Sequence, residues 1–399
     1  MDWSFLIQGK DALNVTTDSR KVVPGCVFVA LKGEHFDGND YVEQARRDGA
    51  QHVICGENAL SQLQDLARAW RRELGLPILG ITGTNGKTTT KELCAAVLST
   101  KYNLYYTQGN LNNQLGVPLT LLSITRAHEM AIVEMGASHP GDIKELVEIA
   151  EPNYGLITNV GRAHLEGFGS FEGVMRTKAE LYDYIVQHGG KIFINKDNPY
   201  LERMLADVSI PYKPVHTLPY RTGTMPEGTH LVGGYNAENV SAALRVGDYF
   251  GVPEPQALAA IRAYVPSNNR SQLMITERNT VVVDAYNANP TSMQAAIEAF
   301  SRQPSAVASQ QNCYILGAMR ELGEYSHTEH QNIVNMLLER KEDNVLLVGD
   351  EYKSTTAPYL ILDNVDALCD YLKTNPLCGF RILLKGSRSN QLEKVIPLL

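Results

Sequence analysis

Between Pro77 and Thr158 the chain alternates two hydrophobic patterns. Short apolar runs (Pro77 to Thr82, Ala131 to Met135, Gly155 to Thr158) are separated by segments whose apolar residues recur every three or four positions. Leu93, Ala96, Val97 and Thr100 form one such stripe, and Ile143, Leu146, Val147 and Ala150 another. Short continuous runs predict buried strands and the wider spacing predicts amphipathic helices. Their alternation predicts βαβ units, hence a parallel sheet with helices on both faces. The rhythm starts again at Val281-Val282-Val283. A helix from Thr291, a strand from Cys313 to Leu316, a helix around Ile333 to Leu338, a strand from Val345 to Val348, a helix near Val365 to Leu372 and a strand from Arg381 to Leu384 follow. Ahead of both lie shorter runs, Val27 to Leu31 and Gln51 to Cys55, and a charged helix around Arg68 to Glu73 that ends at Gly75-Leu76-Pro77. The expected fold is α/β in three domains: residues 1–75, a central parallel sheet of P-loop ATPase type over 76–266, and a Rossmann-like domain over 267–399. Pro266-Ser267-Asn268-Asn269 is the expected joint.

Composition narrows the choice of partners. Thirty-six basic against 44 acidic residues give a net charge of −8, which argues against a protein built to hold nucleic acid. No run approaches the roughly 18 apolar residues of a membrane span, and the start lacks a basic, apolar and cleavable pattern of export. A cytoplasmic, monomeric enzyme is expected. The six cysteines contain no CxxC pair, so reduced thiols are expected and zinc is not.

The strongest chemical signal is Gly80-Ile81-Thr82-Gly83-Thr84-Asn85-Gly86-Lys87-Thr88-Thr89, between a predicted strand and a predicted helix. Glycines let backbone N–H groups turn onto phosphate oxygens, the helix start adds partial positive charge, and Lys87 adds a full one. Thr88 is placed to offer a hydroxyl to Mg²⁺. Glu134 sits near the end of the strand Ala131 to Met135, where open parallel sheets bind ligands, and a carboxylate there suits a hard cation; the lesser alternative, were it alone, is an edge carboxylate with no metal. Lys178 lies four residues after Val174 and three before Leu181, on the inward stripe of a helix from Phe171 to Ile185. A buried lysine is costly unless paired or altered, although taken alone it could snorkel to the surface. His164 alone reads as a loop histidine.

Together these residues resemble the Mur ligase family. The resemblance is carried by the phosphate loop, by Thr107 to Pro118 (Thr-Gln-Gly-Asn-Leu-Asn-Asn-Gln-Leu-Gly-Val-Pro), by Glu134, by Ala163-His164-Leu165-Glu166 and by Thr177-Lys178-Ala179-Glu180. Asp284 to Pro290, Leu316 to Gly323 and Lys385-Gly386-Ser387-Arg388 are similar to the branch that adds a dipeptide, and Thr17 to Arg20 with Pro24 to Gly33 to the family's uridine-nucleotide domain. The motifs span nearly the whole chain in the family's order. The chain departs from the pattern at Asn39, where histidine is frequent, at Ala318, where aspartate is common, and at Tyr235-Asn236, where a histidine-asparagine pair is common.

The resemblance implies ATP-dependent joining of D-Ala-D-Ala to a UDP-N-acetylmuramoyl-tripeptide, through an acyl phosphate and with release of ADP and phosphate. It implies that Gly83, Thr84, Asn85, Gly86, Lys87, Thr88 and Thr89 hold the ATP phosphates, that Asn236, Asp284 and Asn287 contact adenine or ribose, and that Arg270 contacts the phosphates. It further implies two Mg²⁺ ions, one on Thr88 and Glu134, the other on His164 and a carbamylated Lys178. Lys87, Lys178 and His164 are then the catalytic set. Asn110, Asn112 and Asn113 line the tripeptide path, Ser19 and Arg20 meet the uridine nucleotide, and Arg388 contacts substrate. Weighed against this are a sister ligase adding an amino acid to the muramoyl dipeptide, a folylpolyglutamate synthase-like ligase, and a non-catalytic nucleotide-gated scaffold. The sister ligase's third-domain Asp-Asn-Pro-Arg signature does not occur here, and the folate ligase has no need of the uridine-type domain.

Overall fold

A computed structural model describes residues 2–208, 216–266, 270–302 and 310–399. Three sheets follow one another along the chain. The first is small and parallel, in the order β1 (Val15–Thr16), β2 (Val27–Val29), β3 (His52–Ile54). The second has six parallel strands: β4 (Ile78–Thr82), β5 (Leu104–Tyr106), β6 (Met130–Glu134), β7 (Tyr154–Ile157), β8 (Lys191–Asn195) and β9 (Thr217–Tyr220), in spatial order 5-6-4-7-8-9. The third comprises β10 (Gln272–Ile275), β11 (Thr280–Asp284), β12 (Gln311–Gly317), β13 (Val345–Val348), β14 (Leu360–Leu362) and β15 (Phe380–Lys385), in order 10-11-15-12-13-14. Only β10 runs antiparallel to its neighbour in that sheet.

The strands and helices expected from the pattern are present with bounds shifted by a few residues. Strands β1, β5, β8, β9, β10 and β14 are additional. β5 and β10 are edge strands with no fully buried residue, so they lack the apolar run that marks β4 and β6, both buried along their full length. Of the joint expected at Pro266 to Asn269, residues 267–269 lie outside the described residues.

The cores show how the sheets are held. One face of the central sheet packs against the helices Asp142–Ala150 and Phe171–Gln187, and this core runs without a break into Trp3, Leu6, Val27, Ile54, Leu63 and Trp70. The helix Ala59–Leu74 joins them. Its Trp70 indole N–H donates to the Ile124 carbonyl (2.8 Å), and its buried Arg71 donates to the carbonyls of Ala150 (3.1 Å) and Glu151 (3.0 Å). Gly75 ends the helix in the left-handed conformation without dividing the core. The other face of the central sheet is covered by the helices Lys87–Leu98, Asn236–Tyr249 and Glu254–Ala263. The third sheet carries its own core on each face.

Candidate active site

In the central sheet the chain leaves β4 towards β5 and β6 on one side, then crosses to β7 on the other. A crevice opens at such a switch point, beyond the carboxyl ends of the strands. The loop after β4 lies there. Gly83 has φ 145°, and a Cβ on it would fall 1.9 Å from Thr158 Oγ1; Gly86 has φ 77°, with Asn239 Oδ1 2.4 Å from the corresponding point. Both positions exclude other side chains by conformation and by space. Neighbouring loops fix the turn: Asn85 N–H donates to Asn159 Oδ1 (3.0 Å), and the Thr158 hydroxyl donates to the Asn85 carbonyl (2.6 Å). Lys87 opens the helix and its ammonium folds back onto the carbonyls of Gly83 (2.9 Å) and Thr84 (3.1 Å). Burial lowers its pKa, against the opposing influence of Glu134.

Glu134, at the end of β6, is buried. Its Oε1 accepts from the Thr88 hydroxyl (3.1 Å) and from Asn112 Nδ2 (2.9 Å). Its Oε2 has no hydrogen-bond partner among the described residues, while the Lys91 ammonium stands 3.7 Å away. A buried carboxylate oxygen without a donor is costly and fits a hard cation shared with the Thr88 hydroxyl. Among the described residues no three His, Cys, Asp or Glu side chains form a metal cluster. Few protein ligands is the expected arrangement for Mg²⁺ that also binds nucleotide phosphates.

His164 follows β7 in the left-handed conformation (φ 50°). Its Nδ1 contacts the carboxylate of Glu321, which comes from the loop after β12. Burial lowers the imidazole pKa, Glu321 opposes that shift, and Lys87 and Lys178 reinforce it. Lys178 sits on the inward face of the helix Phe171–Gln187, only 2% exposed, with its ammonium 5.8 Å from the centre of the Phe168 ring. Burial first, and Lys87 second, push its pKa down to about 7.

The third sheet supplies the facing wall. Asp284 ends β11 and Lys385 ends β15. Their side chains pair at 2.6 Å, Lys385 also donates to the Asn287 carbonyl (3.2 Å), and Asp284 accepts from the Ser271 N–H (3.2 Å). The Arg270 guanidinium lies over the Tyr286 ring at 3.7 Å. Tyr235 bonds Ser271 Oγ at 2.5 Å, and Asn236 accepts from Asn239 Nδ2 (2.8 Å).

These groups surround one cavity of about 850 Å³. Of the residues singled out in the sequence, Thr84, Asn85, Gly86, Lys87, Thr88 and Thr89 line it from the loop. Asn110, Asn112, Asn113, Glu134 and His164 line it from the rest of the central sheet, and Asn236, Arg270, Asp284 and Asn287 close it. Gly83 stands behind the loop and contributes its carbonyl to Lys87. Lys178, Ser19, Arg20 and Arg388 are not in the lining. Arg20 pairs with Asp18 in an exposed turn and Arg388 with Glu393. Lys91, Asn159, Asn239 and Tyr286 were not distinguished by the sequence. Lys91 could have been found, one helical turn after Lys87 on the same face; Asn159 and Asn239 meet the loop only through tertiary packing.

A phosphate loop and an acidic strand end, facing a second, mostly parallel sheet across one cavity, define an ATP-using enzyme of two docked α/β units. The comparisons narrow the class. Family models match residues 13–93 (Mur ligase family, catalytic domain), 81–224 (Mur ligase middle domain) and 269–374 (Mur ligase, glutamate ligase domain). The chain belongs to the Mur ligase family. It is 33% identical to the UDP-N-acetylmuramoyl-tripeptide–D-alanyl-D-alanine ligase of Bacillus subtilis, over 96% of this chain and 92% of the relative. It is 31% identical to the ligase of that name from Escherichia coli, over 98% and 95%. Among solved structures, MurF from Thermotoga maritima in complex with ADP superposes with a TM-score of 0.83 at 28% identity, covering 100% of this chain and 98% of that one. MurF from Acinetobacter baumannii gives 0.82 at 26%, covering 96% and 92%.

Proposed function

We propose that this chain joins D-Ala-D-Ala to a UDP-N-acetylmuramoyl-tripeptide at the expense of ATP, yielding the UDP-muramoyl-pentapeptide precursor of the cell wall, ADP and phosphate. The observation that carries the reading is the single cavity in which the phosphate loop and Glu134 of the central sheet face Asp284, Arg270 and Asn287 of the third. It stands beside 31–33% identity over nearly full length to ligases of that name.

A carboxylate is a poor electrophile, so the γ-phosphoryl group is first moved onto the tripeptide's terminal carboxylate. The dipeptide amine then attacks the acyl carbon, the C–N bond forms, the C–O bond to phosphate breaks and the amine's extra proton is lost. The protein's share is positioning and charge neutralisation. Lys87, freed from the Gly83 and Thr84 carbonyls, holds the phosphates with the N–H groups at its helix start. Thr88 and Glu134 hold one Mg²⁺, which supplies charge neutralisation when bound. Arg270 reaches the phosphates from the opposite wall, while Asp284, Asn287 and Asn236 hold the nucleoside. Asn110, Asn112 and Asn113 lie along the tripeptide path. Ser19 and Arg20 belong to the uridine end and Arg388 to the dipeptide end, outside the present cavity.

Lys178 is read as carbamylated. An amine whose pKa is near 7 is substantially neutral at physiological pH, as attack on CO₂ requires, and the product is an anionic oxygen donor that, with His164, suits a second Mg²⁺. No helix among the described residues is long and apolar enough to cross a membrane. A nucleotide-linked substrate and ATP support reading the reaction as cytoplasmic, and the protein is read as a monomer with domains over 1–75, 76–266 and 267–399.

The test is ADP release on mixing enzyme, ATP and UDP-muramoyl-tripeptide with and without D-Ala-D-Ala, with glutamate and folate as the control pair. Turnover only with the dipeptide and tripeptide together is expected; turnover with the control pair alone overturns the reading.

A further inference from the structure

We infer that Glu321 is a positioning residue for His164, delivered across the junction between the central and third sheets; the inference rests on the ligase reading above. Two observations on opposite sides of the junction carry it. On the central side, His164 is held in the left-handed conformation with its ring edge-on to Phe168 at 6.2 Å, and its Nδ1 meets the Glu321 carboxylate. Nδ1 is buried with that carboxylate against it and no other partner among the described residues, which leaves Nε2 for the cavity that His164 lines. A carboxylate on the far nitrogen of a histidine fixes its tautomer and ring orientation, the usual way a ligating or proton-handling imidazole is held.

On the other side, the loop carrying Glu321 is fastened in a way an incidental surface contact would not need. Ala318 N–H donates to the Val348 carbonyl (2.8 Å). Met319 N–H donates to Nε2 of the buried His330 (3.0 Å), whose Nδ1 is in turn 2.7 Å from the Ser326 carbonyl. Leu322 is buried in the third sheet's core. Between these anchors Glu321 adopts φ 61°, a conformation uncommon for a residue with a long side chain and characteristic of sites where geometry is imposed. Its carbonyl accepts from the Glu166 N–H (3.4 Å), so backbone and side chain both reach the His164 segment. Yet the Glu321 side chain is 59% exposed, and its removal opens no core. Because the two partners belong to different sheets, His164 is held in this way only where the sheets are docked as seen here.

The test compares Glu321→Ala and Glu321→Gln with the wild type. Glu321→Ala is expected to melt within a few degrees of the wild type and to lose about 10- to 100-fold in kcat, the range found when a histidine loses its orienting partner. KM for ATP is expected to stay within about threefold, since uniform binding is untouched. Glu321→Gln, which keeps an acceptor oxygen, should recover part of the loss. Mn²⁺ binding in the presence of a non-hydrolysable ATP analogue, read by electron paramagnetic resonance, should weaken about tenfold in Glu321→Ala. In a His164→Asn background the Glu321→Ala change should cost little more, because residues that act as a unit are not additive. Wild-type kcat and Mn²⁺ binding in a folded Glu321→Ala protein, or fully additive losses in the double variant, would overturn the inference. Absence of ligation by the wild-type enzyme would instead strike the ligase reading.

Discussion

At the scale of single residues, the site gathers positive charge where water is scarce. Lys87 and Lys91 both feel the Glu134 carboxylate, and Lys91 stands within 4 Å of it, whereas the carboxylates that act on Lys178 are Asp142 and Glu180. Lys87 uses two backbone carbonyls as placeholders, so Lys87→Ala should leave the loop folded while removing the loop's own full charge. Its kcat should fall by at least about a hundredfold, and near-normal ligation by the folded variant would show that Lys87 does not hold them. For Lys178 the pKa of about 7 stands against 10.5 in an ordinary lysine. Between those values the unfolded chain binds more protons than the native one, so the penalty for burying this amine is fully present below about pH 7 and is relieved as pH rises towards 10.5. Recovery of CO₂-depleted enzyme on adding bicarbonate should therefore rise with pH through about 7. Lys178→Ala should lose most activity and regain part with a short carboxylic acid, whereas Lys178→Arg should not; wild-type ligation by Lys178→Arg in CO₂-depleted buffer would remove the carbamate. Much of this was legible from spacing alone. The strand, the glycines and Lys87 are contiguous, and Lys178 shares a stripe with Val174 and Leu181. What spacing could not supply is the partner contributed from far along the chain, such as Asn239 against Gly86 or Glu321 against His164, because nothing local requires it.

At the scale of elements, the helix Ala59–Leu74 changes how the N-terminal part should be viewed. Sequence punctuation separates it from the central sheet at Gly75, and as local chemistry this is correct: Gly75 ends the helix. Hydrophobic burial does not follow punctuation, however, and Trp70 is fully buried in a core shared with Val117 and Leu121. Trp70→Ala should cost about 3–5 kcal/mol, as for other large core truncations, and should lower the unfolding midpoint of the central unit with that of the N-terminal one. Two separate transitions, only the first shifted, would show that the shared core does not couple them. Arg71→Met strands carbonyls that the guanidinium now satisfies and should cost about 1–3 kcal/mol. In the helix Ser326–Glu339 the buried His330 has its pKa lowered from 6.5, mainly by burial. Below about pH 6.5 the unfolded chain then binds more protons, so the stability this ring contributes is complete above that pH and is lost as pH falls through it. His330→Asn should flatten the acid limb of a plot of melting temperature against pH, and an unchanged limb would place the acid sensitivity elsewhere.

At the scale of the whole molecule, the third sheet is docked on the loops of the central one by polar contacts rather than by a shared apolar core. Asn289 Nδ2 donates to Asn85 Oδ1 within the phosphate loop (2.8 Å), and Arg162 N–H donates to the Thr291 hydroxyl (2.9 Å). The Arg162 guanidinium meets Glu329 at 2.8 Å. Interfaces of this polar kind come apart more readily than apolar ones, which suits a cavity that must admit two large substrates and release their product. The ion pair is asymmetric, with Arg162 largely exposed and the Glu329 side chain 3% exposed. Removing the arginine thus leaves a buried carboxylate without its cation, which is costlier than losing a surface pair. Arg162→Ala should relieve that cost by letting the junction open. The radius of gyration in small-angle scattering should increase, and amide exchange should accelerate over 161–167 and 318–323. KM for ATP should rise severalfold if Arg270 and Asp284, which line the cavity from the third sheet's side, contact the nucleotide as proposed. Arg162→Lys, which keeps the charge, should lie between the two. If Arg162→Ala scatters and exchanges like the wild type, the Asn85–Asn289 and Arg162–Thr291 contacts suffice to hold the docked arrangement and the ion pair is a passenger at the junction.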